Sequence, residues 1–242
     1  MTRSRAGYLA EIGIPVWRLR DTEAMAESTP APSIGKSNLS AVSTAALTAQ
    51  PTGDTAARWE ALAATVRECT LCQLHRTRTQ TVFGVGRRDA ELLVIGEAPG
   101  ADEDRQGEPF VGRAGQLLNA MLRAIGLARG DVYIANILKC RPPNNRDPEP
   151  REAAACTPYL TQQIELIRPR VILAVGRIAA QWLLQSDAPI GRLRGRAFEY
   201  GESGVPLIVT YHPAYLLRSP LAKAAAWTDL CMVQDLLMKS ER

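Results

Sequence analysis

Four short apolar runs, alternating with segments of helical periodicity, constrain the fold more than any other feature of this sequence. The runs comprise residues 92–95, 132–138, 171–175 and 207–210. Around them, apolar residues recur at helical spacing in segments 58–66, 116–122, 152–167, 177–184 and 222–239. A strand that is apolar along its whole length is typical of a parallel sheet covered by helices on both faces. The pattern therefore predicts an α/β fold: a three-layer α/β/α arrangement around a central four-stranded parallel sheet.

Composition divides the 242 residues into three parts. Residues 23–56 are rich in Ala, Ser, Thr and Pro and contain no aromatic residue, so they bury too little apolar surface to offset chain entropy. We interpret them as a disordered linker. It joins a short N-terminal docking segment, residues 1–22, to a folded domain, residues 57–242.

Neither a membrane span nor a secretory signal is predicted. No apolar run approaches the roughly 20 residues that cross a bilayer, and the N-terminus lacks the apolar stretch of a signal peptide. We therefore expect a cytoplasmic protein. Its net charge of +4 permits a nucleic-acid partner without requiring one.

Polar and aromatic residues follow the ends of three predicted strands. Glu97 comes directly after the first strand, in a Gly-rich loop that also contains Phe110. Asn136 lies at the end of the second strand and His212 just after the fourth. Because ligand sites of open α/β sheets lie at the carboxyl ends of the strands, we expect these four residues to form one pocket.

Four of the five cysteines form a second pattern. Cys69 and Cys72 are a C-x-x-C pair, Cys140 follows a strand in a Pro-rich loop, and Cys156 lies 16 residues later. In a reducing compartment such cysteines indicate a metal site before disulfides. Four thiolates suit a structural zinc ion or a 4Fe–4S cluster, and spacing alone slightly favours zinc.

Basic side chains are concentrated in the loops near the predicted strand ends. They are Lys139, Arg141, Arg146, Arg177, Arg192, Arg194, Arg196 and Arg218. A charged face is most often simply solvated. Here Leu216 and Leu217 stand beside Arg218, an arrangement that favours a phosphate-backbone clamp with an apolar wedge.

Three motifs occur in order along the chain, at residues 96–118 (GEAPGADEDRQGEPFVGRAGQLL), 136–148 (NILKCRPPNNRDP) and 212–218 (HPAYLLR). Together they resemble the motif regions of family 4 uracil-DNA glycosylases, and the resemblance covers about three-quarters of the chain. It implies the uracil-DNA glycosylase fold. It also implies a base excision repair enzyme that flips uracil out of DNA and hydrolyses its N-glycosidic bond.

The resemblance further implies the cofactor and the residue roles. Cys69, Cys72, Cys140 and Cys156 correspond to the ligands of a 4Fe–4S cluster, which replaces zinc as the expected metal group. Glu97 is expected to position or activate the attacking water, and His212 to stabilise the uracil anion. The expected base-binding residues are Ala98, Glu103, Phe110 and Asn136. The expected DNA contacts are Leu216, Leu217 and Arg218.

Within the base-binding set, Phe110 would stack on uracil and Asn136 would read its polar edge, since an amide both donates and accepts. Glu103 would exclude the methyl group of thymine, and backbone amides near Ala98 would contact the base. Two other functions remain open: an iron–sulfur DNA-binding damage sensor, and a glycosylase of the same fold for other deaminated bases.

The N-terminal segment carries a separate resemblance. Residues 8–20 (YLAEIGIPVWRLR) are similar to the N-terminus of the psi subunit of the bacterial replicative clamp loader. The resemblance implies the clamp loader as a partner, whereas the simpler interpretation is a terminal segment that docks on its own domain. We expect the chain itself to be a monomer.

Overall fold

The computed structural model describes residues 55–239. The predicted docking segment, residues 1–22, and nearly all of the predicted linker, residues 23–56, lie outside the described residues. Within the described part the first element is a helix that begins at Thr55, close to the predicted domain start.

A six-stranded mixed sheet forms the middle layer. Its strands are β1 (Val85–Gly86), β2 (Leu92–Gly96), β3 (Tyr133–Asn136), β4 (Val171–Val175), β5 (Ala197–Tyr200) and β6 (Val205–Thr210), in the order β1-β3-β2-β4-β6-β5. The four inner strands are parallel, which confirms the predicted four-stranded parallel core. The antiparallel edge strands β1 and β5 were not predicted. The first has two residues, and the second has no buried residue, so neither contains an apolar run.

Eight α-helices among the described residues surround the sheet. They are α1 (Thr55–Glu68), α2 (Ala101–Gln106), α3 (Arg113–Ala124), α4 (Pro150–Ile167), α5 (Arg177–Leu184), α6 (Ile190–Leu193), α7 (Pro213–Arg218) and α8 (Lys223–Met238). The five predicted helical segments correspond to α1, α3, α4, α5 and α8. The short helix α2 lies within the Gly-rich loop, where its six residues are mostly polar and give no amphipathic pattern.

Alternate side chains of each inner strand enter two separate cores. In β2, Leu93 and Ile95 pack into one cluster with residues of α1, α4 and α5. Leu92 and Val94 pack into the other cluster with residues of α3, α7 and α8. All four side chains are at most 1% exposed, and each contributes about 1.5–3 kcal/mol by burial. Helices thus cover both faces of the sheet, as the three-layer prediction requires.

Backbone pairing continues past the ends of β2 and β3. The N–H of Ile137 donates to the carbonyl of Gly96 at 3.0 Å, and the N–H of Leu138 donates to the carbonyl of Glu97 at 3.1 Å. These bonds fix Glu97 relative to Asn136 at the carboxyl edge of the sheet. None of the helices within residues 55–239 is long and apolar enough to cross a membrane.

Candidate active site

A cavity of about 500 Å³ lies at the carboxyl edge of the inner strands. Seven predicted site residues line it: Glu97, Ala98, Glu103, Phe110, Asn136, His212 and Arg218. A larger, apolar cavity of about 610 Å³ lies beside α4 and α5, and none of the predicted site residues lines it. The polar cavity is therefore the candidate active site.

Close packing at the end of β2 shapes the floor of this cavity. Gly96 is paired with Asn136 in the sheet, and a Cβ atom on Gly96 would lie 2.4 Å from Asn136 Oδ1 and 2.7 Å from Phe110 Cζ. The absence of a side chain at Gly96 is what lets the amide and the ring meet there.

The side-chain carbonyl oxygen of Asn136 is an unused hydrogen-bond acceptor within residues 55–239. The residue is only 2% exposed, and its Oδ1 atom is buried without a hydrogen-bond partner among the described residues. Leaving such an atom unpaired costs about 1–3 kcal/mol, so a donor from a ligand entering the cavity would recover that energy.

Phe110 is held in an unusual backbone conformation. Its φ of +54° lies in the left-handed region, which a bulky residue rarely adopts. The guanidinium group of Arg129 stabilises this turn through two hydrogen bonds. Its Nη2 donates to the carbonyl of Pro109 at 2.6 Å, and its Nη1 donates to the carbonyl of Phe110 at 3.3 Å. Gly115 of α3 leaves room for the same carbonyl, since a Cβ atom there would lie 1.8 Å from it. The ring is thus aimed into the cavity by its backbone.

Glu103 anchors the Gly-rich loop. Its carboxylate accepts hydrogen bonds from the N–H groups of Gly100 (3.1 Å), Val111 (3.0 Å) and Gly112 (3.4 Å). The first of these bonds caps the N-terminus of α2. The carboxylate therefore has a fixed position on the cavity wall and ties both ends of the loop together.

The ring of His212 has a defined tautomer. His212 is the N-cap of α7, and its Nδ1 accepts a hydrogen bond from the N–H of Ala214 at 3.1 Å, so the ring proton lies on Nε2. Burial lowers the pKa of His212 to about 4, and Arg218 contributes in the same direction. At neutral pH the ring is an uncharged donor. It lies 5.6 Å from the Phe110 ring, centre to centre.

Glu97 is the most perturbed carboxyl group of the cavity. Burial raises its pKa to about 7, the negative charge of Asp147 adds to the rise, and Arg177 opposes it. A carboxyl group with a pKa near neutrality accepts and returns a proton under physiological conditions, as a general base does.

The two leucines predicted to contact DNA have opposite environments. Leu216 is fully buried in the core beneath α7, so its prediction as a DNA contact is wrong. Leu217 is 37% exposed, and Arg218 is exposed on the same helix and lines the cavity. Of these two leucines, Leu217 is the one whose side chain is exposed.

The predicted basic clamp is also smaller than the sequence suggested. Lys139 is buried, and its ammonium donates to the carbonyl of Asn136 at 2.9 Å and to Gln163 Oε1 at 2.6 Å. Arg194 forms an ion pair with the buried carboxylate of Asp229. Burial lowers the pKa of Lys139 to about 7. Both side chains are bonded to internal partners and are not available to a phosphate backbone.

The four predicted metal-binding cysteines share one neighbourhood. Cys69 and Cys72 follow α1, and Cys140 and Cys156 are both buried. Burial is the main cause of the raised pKa of both Cys140 and Cys156. Cys72 and Cys69 add to the rise in the pKa of Cys140, and Cys140 and Cys72 add to that of Cys156. Arg78 Nη1 donates to Cys140 Sγ at 3.1 Å.

Within residues 55–239 these thiols are not arranged as a ready site for a single metal ion. As a donor set they nevertheless fit a 4Fe–4S cluster in number and in chemical type. A nearby cation, Arg78, would also offset part of their negative charge.

Tyr215, Asp147 and Arg129 are among the residues of the site that were not predicted from the sequence. Tyr215 and Asp147 line the cavity, and Arg129 supports Phe110 from behind. Tyr215 lies inside the HPAYLLR motif, so its position three residues after His212 was the available signal. Arg129 acts through backbone carbonyls, which no side-chain pattern reveals.

Comparison with known proteins identifies the family of this chain. The sequence profile of the uracil DNA glycosylase superfamily matches residues 83–231. This chain belongs to the uracil DNA glycosylase superfamily.

Its relatives within the superfamily indicate the type. A type-4 uracil-DNA glycosylase of Archaeoglobus fulgidus is 47% identical over 182 residues, which cover 73% of this chain and 92% of the relative. A type-4 uracil-DNA glycosylase of Thermotoga maritima is 48% identical over 155 residues, which cover 64% of this chain and 80% of the relative. A type-5 enzyme of Pyrobaculum aerophilum is 32% identical over 150 residues, covering 54% and 64%. The predicted membership of family 4 is confirmed by the two type-4 relatives.

Proposed function

We propose that this protein removes uracil from DNA by hydrolysing the N-glycosidic bond, with Asn136 as the residue that recognises the base. The observation that carries the proposal is the buried, unpartnered Oδ1 of Asn136 beside the ring of Phe110. Uracil has a flat ring and an N3–H donor next to a carbonyl acceptor. An amide that accepts from N3–H and donates to that carbonyl matches this edge, while Phe110 stacks on the ring face.

His212 and Glu97 have separate roles in the proposed bond cleavage. When the bond between uracil N1 and the sugar C1′ breaks, its electron pair leaves with the base and charge develops on the uracil carbonyl oxygen. The neutral ring of His212 donates its Nε2–H to that oxygen. A preorganised donor of this kind contributes roughly 3 kcal/mol to transition-state stabilisation.

Water completes the reaction at C1′. The deprotonated carboxylate of Glu97 orients the water and takes its proton as the oxygen bonds to the cationic sugar carbon. The products are an abasic sugar and a uracil anion, which solvent protonates. The negative charge of Glu97 also favours the positive sugar before the water attacks.

Access to the base requires that the nucleotide leave the helix. Phe110 and Asn136 lie inside the cavity and are largely buried, so uracil must be flipped out of the base stack to reach them. Leu217 would fill the gap that the base leaves, and Arg218 would contact a neighbouring phosphate. Glu103 would form the wall against the C5 position, where thymine carries its methyl group.

Cys69, Cys72, Cys140 and Cys156 are the residues that would hold a 4Fe–4S cluster. When bound, such a cluster would cross-link the end of α1, the Cys140 loop and α4. Lys139, next to Cys140, donates to the carbonyl of Asn136 and to Gln163 of α4, so ligands in the Cys140 loop and α4 would brace the base-recognition side of the cavity.

A glycosylase assay tests the proposal directly. Purified protein with its iron content verified is expected to release uracil from single- and double-stranded oligonucleotides, and to leave thymine and cytosine in place. Glu97→Gln and His212→Asn are expected to bind the same DNA with greatly reduced turnover. Intact substrates after incubation with iron-loaded protein would falsify the activity, and binding without turnover would favour a damage sensor.

We further propose that residues 1–22 form a tethered docking segment, with the clamp loader as its partner. A pull-down with clamp-loader subunits tests this, with the full chain compared with Trp17→Ala. Loss of binding in the variant supports the proposal, whereas no binding by the full chain contradicts it.

A further inference from the structure

A column of three side chains in successive contact, Arg194, Tyr211 and Tyr215, ends at the candidate active site. The ring of Tyr215 lies 5.0 Å from the ring of Tyr211, centre to centre, with the planes inclined at 40°. The guanidinium carbon of Arg194 in turn lies 5.1 Å from the centre of the Tyr211 ring. Tyr215 therefore packs against a second ring, and that ring packs against a cation.

The base of this column is anchored in α8. Arg194 donates from Nε to Asp229 Oδ2 at 3.1 Å and from Nη2 to Asp229 Oδ1 at 2.9 Å, and it also donates to the carbonyl of Ala225. Asp229 is fully buried. A bidentate pair of this kind holds the guanidinium plane in one orientation, so the rings stacked on it are held as well.

The outer end of the column is exposed at the cavity. Tyr215 lines the cavity and is 39% exposed, three residues after His212 on α7. Arg218 stands beside it on the cavity wall. A supported aromatic surface next to a cation is the combination by which proteins hold a nucleic-acid base and its phosphate.

We propose that Tyr215 is a stacking surface for a base adjacent to the flipped uracil. The proposal rests on the proposed function, because it requires DNA in the cavity. Uracil itself is taken by Phe110, which is only 7% exposed and lies inside the cavity. Tyr215 lies at the mouth, where the strand must enter and leave, so the base that it meets is a neighbour of uracil. Phe110 and Tyr215 would thus hold consecutive bases.

The fluorescent base 2-aminopurine tests this contact, because its emission falls when it stacks on an aromatic ring. Single-stranded oligonucleotides carry it on the 5′ or the 3′ side of a 2′-fluorinated deoxyuridine, which resists cleavage. With the wild-type protein and with Tyr215→Phe, binding is expected to quench emission at one of the two positions. Tyr215→Leu is expected to abolish that quenching and to weaken binding by roughly five- to 150-fold.

Two controls separate the possible failures. Unchanged emission and affinity in Tyr215→Leu at both positions would overturn the stacking role. A wild-type protein that binds uracil-containing and thymine-containing strands equally would instead contradict the proposed function itself. Thermal unfolding of each variant checks that the fold is retained, and Tyr215→Phe shows that the ring, not the hydroxyl, is responsible.

Discussion

Arg177 Nη2 lies 2.7 Å from Asp147 Oδ2, and this ion pair acts on the carboxyl group of Glu97 with two opposing charges. The pair is at the surface, so its direct contribution to stability is small. Its effect on Glu97 is more specific. Asp147 favours the protonated form of Glu97 and Arg177 favours the ionised form, so each partner shifts the pH at which the general base becomes available.

The first prediction concerns this pair. Glu97 must be ionised to accept a proton, so kcat/KM is expected to rise with pH through about 7. Asp147→Asn removes a negative charge, lowers the pKa of Glu97 and shifts the rise to lower pH. Arg177→Met removes the stabilising cation and shifts it to higher pH. Steady-state profiles between pH 5 and 9, roughly two units on either side of neutrality, measure the shifts; identical profiles for all three proteins would contradict the assignment of Glu97.

His212 has a different expected pH dependence. Its pKa of about 4 means that the ring is neutral between about pH 5 and 9, so the plot of kcat/KM against pH should show no further change near pH 6.5. NMR titration of selectively labelled histidine measures this pKa, and a His212→Asn variant assigns the signal. A pKa of His212 near 6.5 would contradict the neutral-donor role.

Arg129 is expected to act on catalysis through Phe110. Arg129→Met removes two charged hydrogen bonds to the Phe110 turn, each worth about 1.5–3 kcal/mol, and should reduce kcat/KM by tenfold or more. Added guanidinium ion is expected to restore part of the activity in Arg129→Ala, because it can occupy the vacated position. Absence of both effects would mean that the turn keeps its conformation without Arg129.

The two leucines of α7 provide a matched pair of variants. Leu216→Ala leaves a cavity in the core and is expected to lower the free energy of unfolding by about 2–5 kcal/mol. Leu217→Ala should change stability by no more than about 0.5 kcal/mol, yet reduce activity on duplex DNA more than on single strands. Denaturant unfolding and parallel glycosylase assays distinguish the two. Equal activity of Leu217→Ala on both substrates would exclude it as the wedge.

Replacing one of the four predicted ligand cysteines is expected to lower the iron content of the protein. Cys156→Ser is expected to reduce bound iron and the visible absorbance of the protein, because the four-thiolate set becomes incomplete. Cys231→Ser is the matched control, since Cys231 lies in α8 and outside that set. Iron analysis of both proteins gives the measurement, and equal iron content would remove Cys156 from the ligands.

Much of this architecture could be predicted because burial on both faces leaves a distinctive sequence. The inner strands are continuous apolar runs, and the chain must place their carboxyl ends at one edge. Glu97, Asn136 and His212 follow those ends directly, so their convergence was foreseeable. The motifs then indicated what the converging residues do.

Other features depend on orientation, which neighbouring residues in a sequence do not reveal. Leu216 and Leu217 are adjacent and chemically alike, and only the direction of α7 against the sheet determines which of them is buried. Lys139 is similarly placed next to a strand end, yet its side chain turns inward to Gln163. Two antiparallel strands were missed because their pairing is set by the neighbouring strand rather than by their own composition.

Those two strands also limit how one molecule can join another. An outer strand normally offers a row of unpaired N–H and C=O groups to which a second chain can add. Here one edge is only two residues long, Val85–Gly86, and the other is the four-residue strand Ala197–Tyr200. Both edges therefore give little length for growth of the sheet into an aggregate, while its carboxyl end stays open for a nucleotide.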